Sequence, residues 1–435
     1  MENLPDAWIL TIGNEIINGV ITDTNRESIA RELRSVGIPI KGMSSVGDDR
    51  EAIADALRMA MENAVVTIVS GGLGPTEDDK TAASAAYFLG VPLRLDQEQL
   101  TRIEERFRNW NRPMAPINAK QAFFPEPAVA ISNDYGTAPG FMIEKNGRLA
   151  LFFPGVPREL VRMLRERALP IILEKVGPAK KFFVTRTFHI YGLSESKLQE
   201  ILADVSADEE DYHLAFLPRF PIIRLRMDAG AASAEEANRK LDEKQKVLRD
   251  RLPENILSDD GRLMEHVVLQ LLQERGLTLA LAESITGGMI GEMITRVPGS
   301  SRTFMGSIVS YSNNMKSGVL GVTERTLNKH GAVSHACARE MATGARSVGK
   351  ADVGLSVTGI AGPDGGTADK PVGTFFIGLA TDQITLTRGF VLPGTREWIR
   401  TLGAMQALDL LRRHLLGYRI HGQEEGSEPQ NDAWT

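Results

Sequence analysis

The sequence predicts an α/β protein built from several domains. Three observations carry this prediction. The chain has 435 residues, which at roughly 150 residues per domain is enough for two or three domains, each able to bury a core unaided. Near-continuous apolar strands alternate with helical segments, the pattern of a parallel sheet covered on both faces. Forty-one glycines beside only 6% aromatic residues point to many tight strand-to-helix turns.

Taken in order, residues 7–11 form an apolar strand running into Gly13, and Asn25 caps a helix that stops at Gly37. Residues 38–46 read as a strand, Asp49 starts a second helix, and residues 65–70 are a continuous apolar strand. A helix over 78–89 is closed by Gly90, and strands at 141–143 and 149–153 precede a helix from Pro157 to about Glu174. The texture then changes. A strand at 182–191, a Ser-capped helix at 194–205, a hairpin of 214–217 with 222–227, and a charged helix at 235–251 make a small α+β module. Residues 251–261, rich in Asp, Pro and Asn, read as a linker. The last stretch opens with a helix at 262–275 and a strand at 277–282, and it closes with a helix at 396–416. The domains are accordingly 1–175, 176–255 and 256–418, followed by a polar, aperiodic tail at 419–435.

Composition bounds the function. Fifty Lys+Arg against 56 Asp+Glu gives a net charge of −6, and no basic face for direct nucleic-acid contact is evident. A lone Cys337 excludes a disulfide framework or a thiolate metal cluster. No apolar run approaches the roughly 20 residues of a membrane span, and the N-terminus has no signal-peptide pattern. A cytoplasmic enzyme is expected.

Two strand-to-glycine turns stand out. In the first, Gly71-Gly72-Leu73-Gly74-Pro75-Thr76-Glu77-Asp78-Asp79 follows a buried strand. Glycines let backbone N–H groups approach a phosphate closely, while Asp78 and Asp79 would repel it unless a divalent cation lies between. Residue spacing leaves this reading level with a plainer one, a tight turn whose aspartates stabilise a helix start. Asp48, in Gly47-Asp48-Asp49, falls at the carboxyl end of a neighbouring strand, where open α/β sheets bind ligands.

In the second turn, Ala282-Glu283-Ser284-Ile285-Thr286-Gly287-Gly288 leaves Ser284 between a strand and a helix, with the amides of Thr286, Gly287 and Gly288 near an oxyanion position. His330 and His335 read as exposed connector residues. Tyr311, closing a strand at 307–311, and Lys316, one turn into the next helix, are the better partners if that strand end adjoins Ser284. Lysine acts as a base only where burial or a nearby cation lowers its pKa. On the residues alone the plainer reading is preferred: a helix cap, an edge aromatic and a solvated lysine.

The ordered motifs GNE at 13–15, DTN at 23–25, GGLGPTEDD, GTAPG at 136–140 and PGVPRE at 154–159 resemble the CinA competence/damage-inducible family. So do AESITGG, PGSS at 298–301, YSNNMK, HGAVS, TGIAGP at 358–363, KPVGT at 370–374 and the pair Arg396 and Arg400. The resemblance implies a three-layer, molybdopterin-binding-like α/β domain at the N-terminus, a small α+β connector and a C-terminal α/β amidase domain. It further implies hydrolysis of the carboxamide of nicotinamide mononucleotide (NMN) to nicotinate mononucleotide and ammonia, with Ser284, Tyr311 and Lys316 as the catalytic group.

Thr286, Gly287 and Gly288 would contact substrate or oxyanion, and Thr358, Gly359 and Gly362 would shape the pocket. Arg396 and Arg400, four apart on one helical face, would hold the phosphate or face solvent. At the N-terminus the resemblance implies a pyrophosphatase cleaving ADP-ribose with a divalent metal (Mg2+, Co2+ or Mn2+). There Gly71, Gly72, Gly74 and Thr76 would bind the diphosphate, and Asp48, Asp78 and Asp79 the metal. A homodimer is expected. The rival reading makes the N-terminal domain a non-catalytic pterin or nucleotide module in a partner protein of competence or DNA damage. Two positions depart from the family pattern: Ile285 stands where cysteine is frequent and Ser307 where glycine is.

Overall fold

The computed structural model describes residues 6–177, 181–205, 211–418 and 420. The chain divides into two compact units, Met1–Val184 with Ala229–Arg239, and Thr185–Asp228 with Lys240–Thr435. The fold is α/β in both. Most of the predicted tail at 419–435 lies outside the described residues. Among those described, no helix is long and apolar enough to cross a membrane.

The first unit carries β1 (Ala7–Ile12), β2 (Ile40–Val46), β3 (Val66–Ser70), β4 (Leu93–Leu95), β5 (Phe123–Pro125), β6 (Val129–Ile131), β7 (Gly140–Lys145) and β8 (Arg148–Phe153). Six of these form one sheet in the order β2-β1-β3-β8-β7-β6, while β4 and β5 pair separately. The first four run parallel, and β7 and β6 continue the sheet antiparallel. Alternate residues of β1 and β3 enter opposite cores. Ile9, Val66 and Ile68 pack with Ile29, Leu33 and Leu160 on one face. Leu10 and Val69 pack with Ile53, Leu57 and Ala85 on the other. That period-two division of buried, mainly apolar strands makes the three layers.

A second sheet has the order β10-β11-β9-β12, made of β9 (Phe182–Ile190), β10 (Tyr212–Arg219), β11 (Ile222–Ala231) and β12 (Ile256–Ser258). Here the structure corrects the predicted linker at 251–261. The apolar pair Ile256-Leu257 forms β12, which pairs antiparallel with β9. The backbone beside it is also occupied, because the Arg412 guanidinium donates to the carbonyls of Glu254 and Ile256.

The C-terminal sheet has the order β14-β13-β15-β16-β17, from β13 (Leu279–Glu283), β14 (Phe304–Val309), β15 (Val353–Gly359), β16 (Thr374–Ala380) and β17 (Thr385–Val391). β13, β14 and β15 are parallel, and β16 and β17 are antiparallel. Leu279 and Leu281 face the larger core with the helix Arg396–Leu415. Ala280 and Ala282 face a smaller one holding Cys337 and Met341.

Both sheets have the same consequence for ligands. The strand order reverses between β1 and β3 in the first unit, and between β13 and β15 in the second. A switch point of this kind opens a crevice at the carboxyl ends of the two strands. The two glycine turns singled out in the sequence, after β3 and after β13, emerge at these crevices.

Candidate functional site

Ser284 follows β13 directly, and its amide donates to the Val357 carbonyl of β15 at 2.9 Å. The crossover from β13 to β14 brings the segment after β14 beside it. There Ser312 caps the helix Asn313–Leu320, accepting the Met315 amide. Lys316 lies one turn in, as the sequence predicts. It is not solvated. Only 2% of it is exposed, and its Nζ lies 3.1 Å from Ser284 Oγ and donates to the Ser310 carbonyl at 2.7 Å. Burial disfavours the ammonium and lowers the Lys316 pKa, opposed only by the nearby Cys337 thiol. A serine hydroxyl therefore meets a buried amine whose positive charge is disfavoured.

β14 ends at Val309, so Tyr311 falls beyond the strand it was expected to close, at the pocket rim with 66% of its surface exposed. Its hydroxyl faces Arg396 Nη2 at 3.3 Å, and Arg396 Nη1 donates to the Gly362 carbonyl at 2.7 Å. Arg400 donates to the Thr286 carbonyl at 2.9 Å. The two arginines share the helix face that the spacing predicts, and both are tied to backbone or rim groups rather than free in solvent. The Gly287 amide is taken by the Ser284 carbonyl, which corrects its expected role as an oxyanion donor. Among the described residues, no bond engages the amides of Thr286 and Gly288.

Ser284, Tyr311, Lys316 and Arg396 line a cavity of about 190 Å³ with Thr358 and Gly359 in its wall, whereas Thr286, Gly287, Gly288, Gly362 and Arg400 are not among its lining residues. Sequence reasoning missed Ala332, Val333 and Asn313 in the lining, whereas Ala361 falls within the 358–362 stretch expected to shape the pocket. The signal lay in HGAVS. Gly331–Ser334 is the connector between two helices, and its Ala332 carbonyl accepts the Thr358 hydroxyl at 2.7 Å. His335, expected to be exposed, is buried; its Nδ1 faces Thr387 Oγ1 at 2.9 Å and its ring stands edge-on to Phe376. It starts a helix whose first turn packs on the sheet, a placement that a polar residue count does not reveal.

The other residue missed is Glu283. Its carboxylate is fully buried and accepts the amides of Ile290 and Gly291 at 3.0 and 2.9 Å and the Ser307 hydroxyl at 2.7 Å. Ser307, one of the two departures from the family pattern, thus has a job. Ile285, the other, is buried at the pocket wall.

In the first unit, the loop after β3 is shaped by close approaches. A side chain at Gly71 would strike the Ile12 carbonyl at 2.1 Å, at φ +109°. One at Gly72 would meet Thr81 Oγ1, which instead donates to the Gly71 carbonyl at 2.8 Å. The helix begins at Thr81 rather than at the predicted Asp78, because Asp79 turns back into the loop. Its Oδ2 accepts the amide and hydroxyl of Thr76 at 2.8 and 2.6 Å, and it fills the space that a side chain at Gly74 would need.

Asp48 Oδ2 accepts the Asn14 amide at 2.9 Å, and Asp78 is exposed. Among the described residues no three His, Cys, Asp or Glu side chains gather as metal ligands. The expected trio therefore forms no ready-made cage. Asn25 is corrected as well. Asp23 is the helix cap, and Asn25 Nδ2 donates to Ser70 Oγ and the Gly155 carbonyl, tying the ends of β3 and β8 to the helix Thr24–Ser35.

The fold and sites define a multidomain α/β protein with glycine turns at two sheet switch points, one of them beside a buried Ser–Lys pair. Residues 262–415 match the CinA C-terminal domain, residues 8–174 the family described as "Probable molybdopterin binding domain", and residues 185–257 the Damage-inducible protein CinA KH domain. The chain is 43% identical to a CinA-like protein of Syntrophus aciditrophicus, over 94% of this chain and 97% of that protein. It is 42% identical to a CinA-like protein of Syntrophotalea carbinolica, over 94% and 98%. A solved structure of CinA from Thermoplasma acidophilum, its function described as unknown, is 33% identical, covering 39% of this chain and 99% of that one with a TM-score of 0.37. The chain belongs to the CinA family of competence/damage-inducible proteins.

Proposed function

We propose that the C-terminal domain hydrolyses the carboxamide of NMN, releasing ammonia and nicotinate mononucleotide. The observation that carries this reading is the 3.1 Å approach of Lys316 Nζ to Ser284 Oγ in a buried setting. Neutral Lys316 takes the hydroxyl proton as Ser284 attacks the carboxamide carbon, and the amides of Thr286 and Gly288 receive the developing oxyanion. Lys316 returns that proton to the departing nitrogen, which leaves as ammonia. Water, deprotonated by the same amine, then attacks the acyl carbon, and Lys316 passes that proton to the departing Ser284 oxygen, releasing the carboxylate product and restoring the hydroxyl. The cavity is smaller than the roughly 300–1,000 Å³ that enclose a drug-sized ligand. It suits a ring-sized head group, with the ribose phosphate outside near the rim arginine. The test is ammonia release from NMN by the whole chain: release by the native protein but not by Ser284→Ala supports the reading, and none by either sinks it.

For the N-terminal domain we propose a divalent cation (Mg2+, Co2+ or Mn2+) and cleavage of ADP-ribose to AMP and ribose 5-phosphate. The donors present suit a cation that takes one or two carboxylates together with substrate phosphates. Asp48 and Asp79 each keep one carboxylate oxygen outside the bonds described above, and Asp78 is exposed. When bound, the cation would neutralise phosphate charge. The Gly71–Gly74 backbone would cradle the diphosphate, and Asp79 would hold Thr76 in place. The second reading is a nucleotide-binding module without catalysis, which would use the same glycine loop and Asp79. Metal-dependent AMP release from ADP-ribose separates the two. A homodimer acting on these small molecules, without direct nucleic-acid contact, completes the proposal.

A further inference from the structure

The connector module has no assigned chemistry, yet the tip of its hairpin reaches the helix that carries Arg396. Phe220 sits at the turn between β10 and β11, and its ring stacks on Trp398 with centroids 4.4 Å apart and planes within 18°. Both rings are partly open, 42% and 50% exposed. Trp398 is two residues after Arg396, so it projects roughly 200° around the helix. The face bearing Arg396 and Arg400 meets Tyr311, Gly362 and Thr286, and the opposite face meets Phe220.

This first turn is thinly held. Every residue from 393 to 398 is exposed, and Thr395 caps the helix by accepting the Trp398 amide. From elsewhere in the second unit, Arg396 bonds to Gly362 and Tyr311 on one side, and Phe220 stacks on the other. A rotation or fraying of the turn would move Arg396 away from the Tyr311 hydroxyl at the mouth of the cavity. Fraying of a terminal helix turn costs little free energy, so one ring stack can shift the balance measurably.

We propose that Phe220 is a positioning residue of the pocket, bracing the first turn of the Arg396–Leu415 helix through Trp398 so that Arg396 is presented at the rim. The connector hairpin thereby sets how well the site holds the anionic end of its substrate. In its kinetic arm this rests on the amidase reading.

The test uses the full chain with Phe220→Ala, Phe220→Leu and Phe220→Tyr, each also made in an Arg396→Ala background. Ammonia release from NMN and amide hydrogen exchange over residues 395–401 are measured together. Removing the ring is expected to raise KM about threefold to tenfold with kcat within about twofold, to speed exchange in that segment, and to have no further effect on KM once Arg396 is gone. Phe220→Tyr keeps the stack and stays near native values. Phe220→Leu keeps apolar bulk without the ring stack and repeats the test should alanine disturb the hairpin. Unchanged KM and exchange in correctly folded variants overturn the proposal, as does an equal rise in KM without Arg396. If the native chain releases no ammonia, the amidase reading fails on its own, and exchange over 395–401 decides whether the brace exists.

Discussion

The Ser307 hydroxyl donates to the Glu283 carboxylate at 2.7 Å, and the same carboxylate accepts the amides of Ile290 and Gly291 at the start of the next helix. Both carboxylate oxygens therefore face donors. Glu283 immediately precedes Ser284, so these bonds hold the strand end, the helix start and β14 around Ser284.

Glu283→Gln should be costly despite its near-identical shape. The introduced NH2 group would confront an N–H or O–H donor, leaving a buried polar pair unsatisfied at about 1–3 kcal/mol. Thermal denaturation should show a lower melting temperature, and kcat for ammonia release should fall as the Ser284 turn loosens. A variant with native stability and native kcat would show that the carboxylate is dispensable.

Ser284→Ala and Lys316→Ala should each reduce kcat for ammonia release by about a thousandfold or more, because nucleophile and base act as a unit. The double variant should be little worse than either alone. Mass spectrometry of the native protein quenched during turnover should show an acyl adduct on the peptide carrying Ser284. Normal turnover in either single variant would end the Ser–Lys assignment.

The buried amine also fixes the sign of two pH effects. Burial lowers the Lys316 pKa in the folded state, so the unfolded chain binds more protons between the folded and unfolded values. Stability consequently rises with pH through that window. Activity moves the same way, since only the neutral amine can accept the Ser284 proton. kcat/KM should climb with pH to a plateau whose midpoint lies below that of an exposed lysine. Lys316→Met should abolish activity and, below the lysine midpoint, stabilise the fold by about 1 kcal/mol, since strained active-site groups are held at the expense of stability. A flat pH profile for the native protein, with chemistry rate-limiting, would contradict this.

Much of the architecture was legible because fully buried parallel strands read as unbroken apolar runs. Residues 65–70 read as such a strand, and residues 66–70 lie buried in the middle of their sheet. The pairing of Ser284 with Lys316 was conditional in the sequence, since 32 residues separate them and only the placement of β14 beside β13 joins them. Local polar patterns misled where a tertiary partner outcompeted a local one. Asn25 looks like a cap, but the Gly155 carbonyl, 130 residues away, takes its amide. The Asp-Pro-Asn texture of 251–261 resembles a linker, but Ile256 and Leu257 within it find a strand partner. Arg400 reads by spacing as a phosphate ligand or a solvent-facing residue, and the spacing gave no sign that its Nη2 donates to the Thr286 carbonyl, 114 residues away.

Asp79 allows the last expectation to separate loop folding from metal chemistry. Its Oδ2 receives both the amide and the hydroxyl of Thr76. The carbonyl oxygen of an asparagine can accept the same two donors, so Asp79→Asn should preserve the loop and alter the melting temperature by no more than a degree or two. Asp79→Ala leaves both donors without their acceptor and opens space beside Gly74, and should cost about 1 kcal/mol. Both substitutions remove the negative charge, so both should abolish metal-dependent AMP release from ADP-ribose. Neither should change ammonia release from NMN, whose residues lie in the other unit. Full ADP-ribose cleavage by Asp79→Asn would confine this residue to holding Thr76. Loss of cleavage in the alanine variant alone would assign the same structural role, and Asp48 and Asp78 would then be the carboxylates left to test.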